Sequence, residues 1–299
     1  NPSIDYKIDV DQFIEGDLNR VTKHQFVAGG KGINVSIVLR NLGIENIPTG
    51  FCGGFTGNFI TTYLFKTYNL KSSFIEITDV TRINVKVNHN GTETELNGNG
   101  PVVTDMEMQQ LLALFQGLTQ GDILIIGGST AHGAADSYLE LVKLCTQKGI
   151  EFIIDTTKTS LLEILPYNPL LIKPNLKELC DLFNVNITSQ EDIIKYAKEL
   201  HKKGAKNVLV SLGKDGSIFV NSNVIYKATP ITGTVQNTVG AGDSMVAGFI
   251  KGYVERKEVF EQFKTAVATG TATAFNTGLA TTKDMENILE QVEIEVLEY

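Results

Sequence analysis

A basic surplus, a disulfide framework and long apolar runs are all missing from this chain of 299 residues. The formal net charge is −8 at pH 7, which argues against broad nucleic-acid binding, because that needs a basic surface. Small anionic ligands are not excluded, since a few local cations and backbone amides suffice for them. Cys52, Cys145 and Cys180 are too few and too scattered for a disulfide framework, and none stands in a Cys-x-x-Cys pair. Each is expected to be a small buried hydrophobe in a reducing cytoplasm. No uncharged apolar run approaches the length of a membrane span, and there is no signal-peptide layout. Repeats, low-complexity tracts and proline-rich linkers are absent as well. What remains, 42% hydrophobic and 20% charged residues, is ordinary for a globular chain with a full core. The chain opens on Asn1 rather than methionine, so further residues, a first strand among them, are expected ahead of "NPSIDY".

Familiar nucleotide loops are missing too. "GGKGIN" and "LGKDGS" both fail the spacing of Gly-x-x-x-x-Gly-Lys-Ser/Thr. No His-Arg-Asp or Asp-Phe-Gly of the protein kinases occurs. "GKGINV" carries Val35 where a dinucleotide fingerprint needs its third glycine. His24, His89 and His201 form no metal-ligand spacing.

Short apolar runs alternate with amphipathic stretches. Residues 122–128, 151–155, 170–175 and 207–213 read as buried strands, each ending in glycine or polar punctuation. Helical patterns cover 136–148, 176–183 and 191–203. Such alternation predicts a three-layer α/β sheet with parallel pairing and helices on both faces. Two segments break the rhythm. "YKIDVDQF" and "RINVKVNHNGTETELNG" alternate with period two, the second through a hairpin signal at Asn90-Gly91. They are expected to form a small antiparallel sheet, a lid or a dimer surface, from about 6–28 and 81–101. Ligands of open α/β sheets sit beyond the carboxyl ends of the strands. That edge collects Gly128-Ser129, Asp155, Lys173-Pro174-Asn175 and Ser211-Leu212-Gly213.

Two glycine clusters, roughly two hundred positions apart, each precede a helical pattern. Gly240-Ala241-Gly242 leads into "DSMVAGFIKGYV". Glycines let backbone approach a ligand closely, and the unpaired N–H groups and dipole of a helix start form an anion hole. Asp243 would stand beside that anion, either as the base for an attacking hydroxyl or as a plain helix cap. Gly29-Gly30-Lys31-Gly32 leads into "INVSIVLRNLG", closed by Gly43. Lys31 is either a point charge for an anion or a solvated loop lysine, and Asn34, one turn in, can present its amide to sugar hydroxyls. Arg20 and Arg82, on the expected lid strands, either close over a ligand or cover a sheet edge with charge.

Together the clusters resemble the two signatures of the ribokinase-like, PfkB-type carbohydrate kinase family. "NPSID", "TRIN", "KPNLKEL" (173–179) and "SLGKDG" (211–216) fall in the family's order, so the resemblance spans essentially the whole chain. It implies one ribokinase-like domain over 1–299, a three-layer α/β/α fold with a mostly parallel central sheet and a small β-sheet lid. The implied activity is transfer of phosphate from ATP, with magnesium, to fructose 1-phosphate, giving fructose 1,6-bisphosphate. Tagatose 6-phosphate, or several ketohexose phosphates alike, is the alternative acceptor, and a non-catalytic sugar-phosphate sensor on the same fold is the alternative class. By resemblance, Asp243 matches the catalytic base, and Gly240, Ala241 and Gly242 match the anion hole. Asp5, Gly30, Lys31, Asn34, Arg82 and Ser129 match acceptor positions, and Lys173, Asn175, Ser211, Gly213 and Gly216 match nucleotide positions. Asn276 matches a position near adenine, and Asn175 with Glu178 forms the Asn-x-x-Glu pattern that organises hydrated magnesium. A homodimer through the lid belongs to the same expectation; nucleic acid and membrane do not. One departure is "GGSTAHG" (127–133), where the family usually has an apolar residue and proline after the serine. His132 there is expected to be an exposed loop histidine.

Overall fold

The computed structural model describes residues 1–134, 136–156 and 160–298, which divide into two compact units. The first comprises Asn1–Ile33, Ile47–Leu114 and, as far as it is described, 130–134. The second comprises Asn34–Asn46, Phe115–Ser129 and the described residues from 136 onward.

In the first unit, strands β1 (Ser3–Val10), β2 (Val21–Gly29), β5 (Arg82–His89) and β6 (Thr92–Asn97) form a four-stranded sheet in the order β2-β1-β5-β6. A two-stranded sheet pairs β3 (Thr49–Cys52) with β4 (Ser73–Glu76), flanking helix α2 (Gly54–Tyr68). Helix α1 (Lys31–Asn41) starts in this unit, as does α3 (Asp105–Phe115). Asn90 and Gly91 turn the β5–β6 hairpin with φ of 50° and 75°, the left-handed pair that a two-residue loop requires. The four-stranded sheet is not wholly antiparallel as expected, because β1 and β5 run parallel. Parallel neighbours need a crossover between them, and α1, β3, α2 and β4 supply it. Arg20 lies in the exposed loop before β2 rather than on a strand.

The second unit carries a seven-stranded sheet in the order β13-β12-β11-β10-β9-β8-β7. Its strands are β7 (Ile123–Gly127), β8 (Glu151–Asp155), β9 (Leu171–Ile172), β10 (Val208–Ser211), β11 (Ser217–Val220), β12 (Ile225–Ala228) and β13 (Ile294–Leu297). From β7 to β10 the pairing is parallel, and from β10 to β13 it is antiparallel. The helices are α4 (Ser137–Lys148), α5 (Ser160–Ile164), α6 (Leu176–Phe183), α7 (Gln190–Lys202), α8 (Ala241–Val254), α9 (Val259–Phe275) and α10 (Thr282–Leu289).

Alternation along the strands shows why their apolar runs are continuous. Ile153, Leu171, Leu209 and Phe219 point into one core with Val246, Phe249 and Phe263 of α8 and α9. Their neighbours Ile154, Ile172, Val208, Val210 and Ile218 lie outside that cluster and are still at most 1% exposed. Both faces are therefore covered, as a three-layer arrangement demands. On the second face α4 packs against β8, and α6 and α7 pack against β10. Among the described residues no helix is long and apolar enough to cross a membrane.

Helices α8 and α9 approach closely. A Cβ at Gly248 would lie 2.5 Å from Thr269 Oγ1 and 2.6 Å from the Thr265 carbonyl oxygen. Backbone cannot yield as a flexible side chain does, so Gly248→Val is expected to destabilise by about 2–3 kcal/mol through overpacking. The urea midpoint should fall with the m-value unchanged; an unmoved midpoint would mean the helices can part freely.

Candidate active site

The second glycine cluster forms the start of α8. Gly240 is its N-cap with φ 79° and ψ −1°, a left-handed conformation that glycine adopts without strain. Space is short there as well: a Cβ at 240 would meet Leu279 Cδ2 at 2.6 Å. The approach is shaped by Asn237, whose side-chain oxygen accepts from Val239 N at 3.0 Å. Behind the turn, Ser244 Oγ donates to the Gly240 carbonyl at 2.8 Å and shares a hydrogen bond with Thr273 Oγ1 at 2.7 Å. The first-turn N–H groups are thus presented from a turn fixed on both sides.

Asp243 lies in this first turn and is buried, at 7% exposure. Its Oδ2 accepts from Asn34 Nδ2 at 2.8 Å. Asn34 is one turn into α1, the helix that Lys31 opens. The amide expected to meet sugar hydroxyls therefore orients the carboxylate.

Below the same turn stands Lys173. A Cβ at Gly242 would lie 2.8 Å from Lys173 Nζ, which places an ammonium against the backbone of the second glycine cluster. Lys173 and Asp155 are 5% and 3% exposed, with Nζ 3.9 Å from Asp155 Oδ2. A buried ammonium needs such a counter-charge, and Asp155, at the carboxyl end of β8, provides it. Asp155 stood on the predicted sheet edge without a role; its distance from Lys173 in the chain hid the pairing.

Asn175 and Glu178 form a capping box at the start of α6: Glu178 N donates to Asn175 Oδ1, and Asn175 N donates to Glu178 Oε2, both at 2.8 Å. Ser211 N donates to the Pro174 carbonyl at 3.1 Å, so Ser211, Gly213 and Gly216 continue beside Lys173–Asn175 along the strand ends. The expected strand at 170–175 is only two residues long because Pro174 offers no N–H to a ladder. Asn276 caps the end of α9, its N–H donating to the Thr273 carbonyl at 3.3 Å. Gly128 N, beside Ser129, donates to the Asp155 carbonyl at 3.0 Å, and Tyr138 Oη donates to the Gly127 and Gly128 carbonyls. Among the described residues no group of three His, Cys, Asp or Glu side chains is gathered as a metal cage.

In the first unit Asp5 is 7% exposed. Its Oδ1 accepts from Ser3 Oγ at 2.8 Å and from Asn84 Nδ2 at 3.0 Å. Arg82 opens β5 and donates from Nη2 to the Asn1 carbonyl at 3.0 Å. Gly30, with φ 107°, brings the chain against Pro2 just before Lys31. Ser3 and Asn84 were missed in the sequence. The available signal was period two: Arg82, Asn84 and Lys86 share one face of β5, and register sets Asn84 beside Asp5. His132 is exposed, while its backbone pairs with 101–103. Burial pushes the Cys52 thiol up to about 12 and the Cys145 thiol up to about 11, so both are inert hydrophobes.

A family model described as pfkB family carbohydrate kinase matches residues 1–286. The chain is 39% identical to a 1-phosphofructokinase of Bacillus subtilis, over 98% of this chain and 97% of that protein. It is 34% identical to a D-tagatose-1-phosphate kinase of Bacillus licheniformis, again over 98% and 97%. The crystal structure of Escherichia coli phosphofructokinase-2 in complex with substrates and products superposes with a TM-score of 0.89 at 32% identity, covering 97% of this chain and 96% of that one.

Proposed function

The chain belongs to the pfkB family of carbohydrate kinases, and from that premise we propose that it transfers the γ-phosphoryl group of ATP to fructose 1-phosphate, giving fructose 1,6-bisphosphate. One observation carries the chemistry: a buried carboxylate, Asp243, fixed by Asn34 in the first turn of the helix that Gly240 opens. The similarity to a 1-phosphofructokinase over nearly the whole chain supports the choice of acceptor. Because one family model runs through both units, we read them as one kinase domain.

In the proposed reaction Asp243 accepts the proton of the acceptor hydroxyl as its oxygen bonds to the γ-phosphorus. The bond from that phosphorus to the β,γ-bridging oxygen breaks, and ADP leaves. The Gly240–Gly242 amides and Lys173 offset charge on the transferred group. Asp5 accepts from sugar hydroxyls, Gly30 lets the backbone approach, and Lys31 and Arg82 offset the phosphate already on the acceptor; Ser129 is read as a further acceptor ligand. Asn175, Ser211, Gly213 and Gly216 line the nucleotide, with Asn276 toward the adenine. The donor set fits magnesium, which keeps most of its water and takes one or two carboxylates plus substrate phosphates; Glu178 would hold it through water. Bound there, it would neutralise charge on the phosphates. The four-stranded sheet we read as the lid that excludes water during transfer.

Turnover of fructose 1-phosphate, fructose 6-phosphate, tagatose 6-phosphate and tagatose 1-phosphate with ATP tests the acceptor. Fructose 1-phosphate should give the highest kcat/KM; a comparable value for either tagatose phosphate would change the acceptor and leave the chemistry. In the same assay Arg82→Ala should raise KM for the phosphosugar by about tenfold or more, since a charge-assisted contact is worth about 1.5–3 kcal/mol. KM for ATP should hold. Equal rises in both would make Arg82 structural.

We also propose a cytoplasmic homodimer. The three cysteines, two of them buried with raised thiol pKa, suit a reducing compartment. One face of the four-stranded sheet leaves Phe26, Ile83 and Leu96 at 44%, 37% and 57% exposure, an apolar strip that a second copy would cover. Leu96→Asp should then halve the mass measured by sedimentation; a wild type that sediments as a monomer removes the dimer.

A further inference from the structure

Asp5 is enclosed more closely than an exposed ligand needs. Ser3 Oγ and Asn84 Nδ2 both bond its Oδ1. A Cβ at position 29 would lie 2.5 Å from Asp5 Cγ, so the bare backbone of Gly29 forms one wall. Beside Oδ2 stands Lys86, with Nζ 4.0 Å away. The same ammonium donates to Glu95 Oε1 at 2.9 Å. Register explains the row, since Asp5 lies beside Asn84 across β1 and β5, and Lys86 lies opposite Glu95 across β5 and β6.

A lysine that served only to pair with Glu95 would keep its head in water, because long cationic side chains bury their stems and expose their charge. Lys86 does the reverse: its side chain is 7% exposed, while that of Glu95 is 42% exposed. The exposed partner thus tethers the buried one, and the charge is turned inward toward Asp5. Lys86 also holds the Glu95 carboxyl below its ordinary range, chiefly through their hydrogen bond.

We propose that Lys86 is a positioning residue for the acceptor, tethered by Glu95 so that it fixes the Oδ2 side of the Asp5 carboxylate for the sugar hydroxyls. This rests on the reading of Asp5 as an acceptor ligand in a sugar-phosphate kinase. No proton or bond changes hands at Lys86; it acts through orientation and field.

The test is a double-mutant cycle in the full chain, with Lys86→Met, Asp5→Asn and the pair, read as KM for fructose 1-phosphate, KM for ATP and kcat. Lys86→Met should raise the phosphosugar KM about tenfold and leave the ATP KM within about twofold, and the pair should be no worse than Asp5→Asn alone. Glu95→Gln should shift the phosphosugar KM the same way by about threefold, and with Asp5→Asn it gives a second cycle should Lys86→Met fail to fold. Lys86 is only structural if both KM values rise together, if the phosphosugar KM is unmoved, or if the effects multiply in the pair; any of these overturns the inference while the kinase reading stands. If Asp5→Asn leaves every phosphosugar KM unchanged, the role of Asp5 and this inference fall together. A wild type inert toward all phosphosugars removes the kinase reading as well.

Discussion

Replacing Asp243 by asparagine should lower kcat by about 10²- to 10⁴-fold, the usual worth of a general base, while phosphosugar binding should change by less than about threefold. Asparagine has the same shape, and its carbonyl oxygen can still accept from Asn34 Nδ2. Ser244 and Asn237 hold the turn at Gly240. Only the capacity to take a proton is removed, so the loss falls on kcat. An aspartate that merely capped α8 would show the opposite pattern, a loss of stability of about 0.5–2 kcal/mol with kcat nearly unchanged. A sugar-phosphate sensor on this fold would show neither. Measuring kcat, KM and the unfolding midpoint on one preparation separates the three.

Lys173→Met should be the next most damaging change, with an effect on both stability and rate. It leaves Asp155 buried without its counter-charge, which costs about 3–5 kcal/mol. It also removes the ammonium from below the Gly240–Gly242 backbone, where loss of one stabilising group costs about 10²- to 10³-fold in kcat. The two effects come apart in the pair Lys173→Met with Asp155→Asn. Neutralising both members should restore much of the unfolding midpoint, because an absent buried pair costs far less than a broken one. The rate should stay low. Recovery of kcat together with stability would show that Lys173 serves the fold alone.

Elements with a strong local code were legible from the residues. The capping box of Asn175 and Glu178 sets the start of α6, and Asn90-Gly91 sets the β5–β6 turn. The continuous apolar runs of β8 and β10 announce strands covered on both faces. Pairing between remote segments carries no such code. Period two marks β1 and β5 as strands yet does not reveal that they run parallel, because that depends on the crossover of more than seventy residues between their register partners Ser3 and Arg82. Arg20 falls within the stretch 6–28 expected to supply lid strands, but the strand there begins only at Val21.

The site divides along the same line. Asp243 and its glycines are neighbours in the chain, so their arrangement could be read directly. The bond from Asn34 to Asp243 joins residues 209 positions apart, and the Lys173–Asp155 pair joins two strand ends. Neither is visible until the sheet is assembled. Lys86 was passed over for a different reason: a lysine on a strand facing an acidic edge usually reads as solvated charge, and only its burial shows which way the ammonium turns.

The central claim is that the carboxylate of Asp243 takes the proton of the acceptor hydroxyl while the neighbouring turn offsets charge on the phosphoryl group passing to that hydroxyl. A single-turnover experiment tests it most directly: enzyme in excess over ATP labelled in its γ-phosphate, mixed with fructose 1-phosphate and quenched over time. The wild type should carry the label into fructose 1,6-bisphosphate within about a second, as expected for kinases that turn over at about 1–100 per second, and Asp243→Asn should bind both substrates and leave the label in ATP. Label reaching the bisphosphate equally fast in the variant, or never leaving ATP in the wild type, would contradict the account.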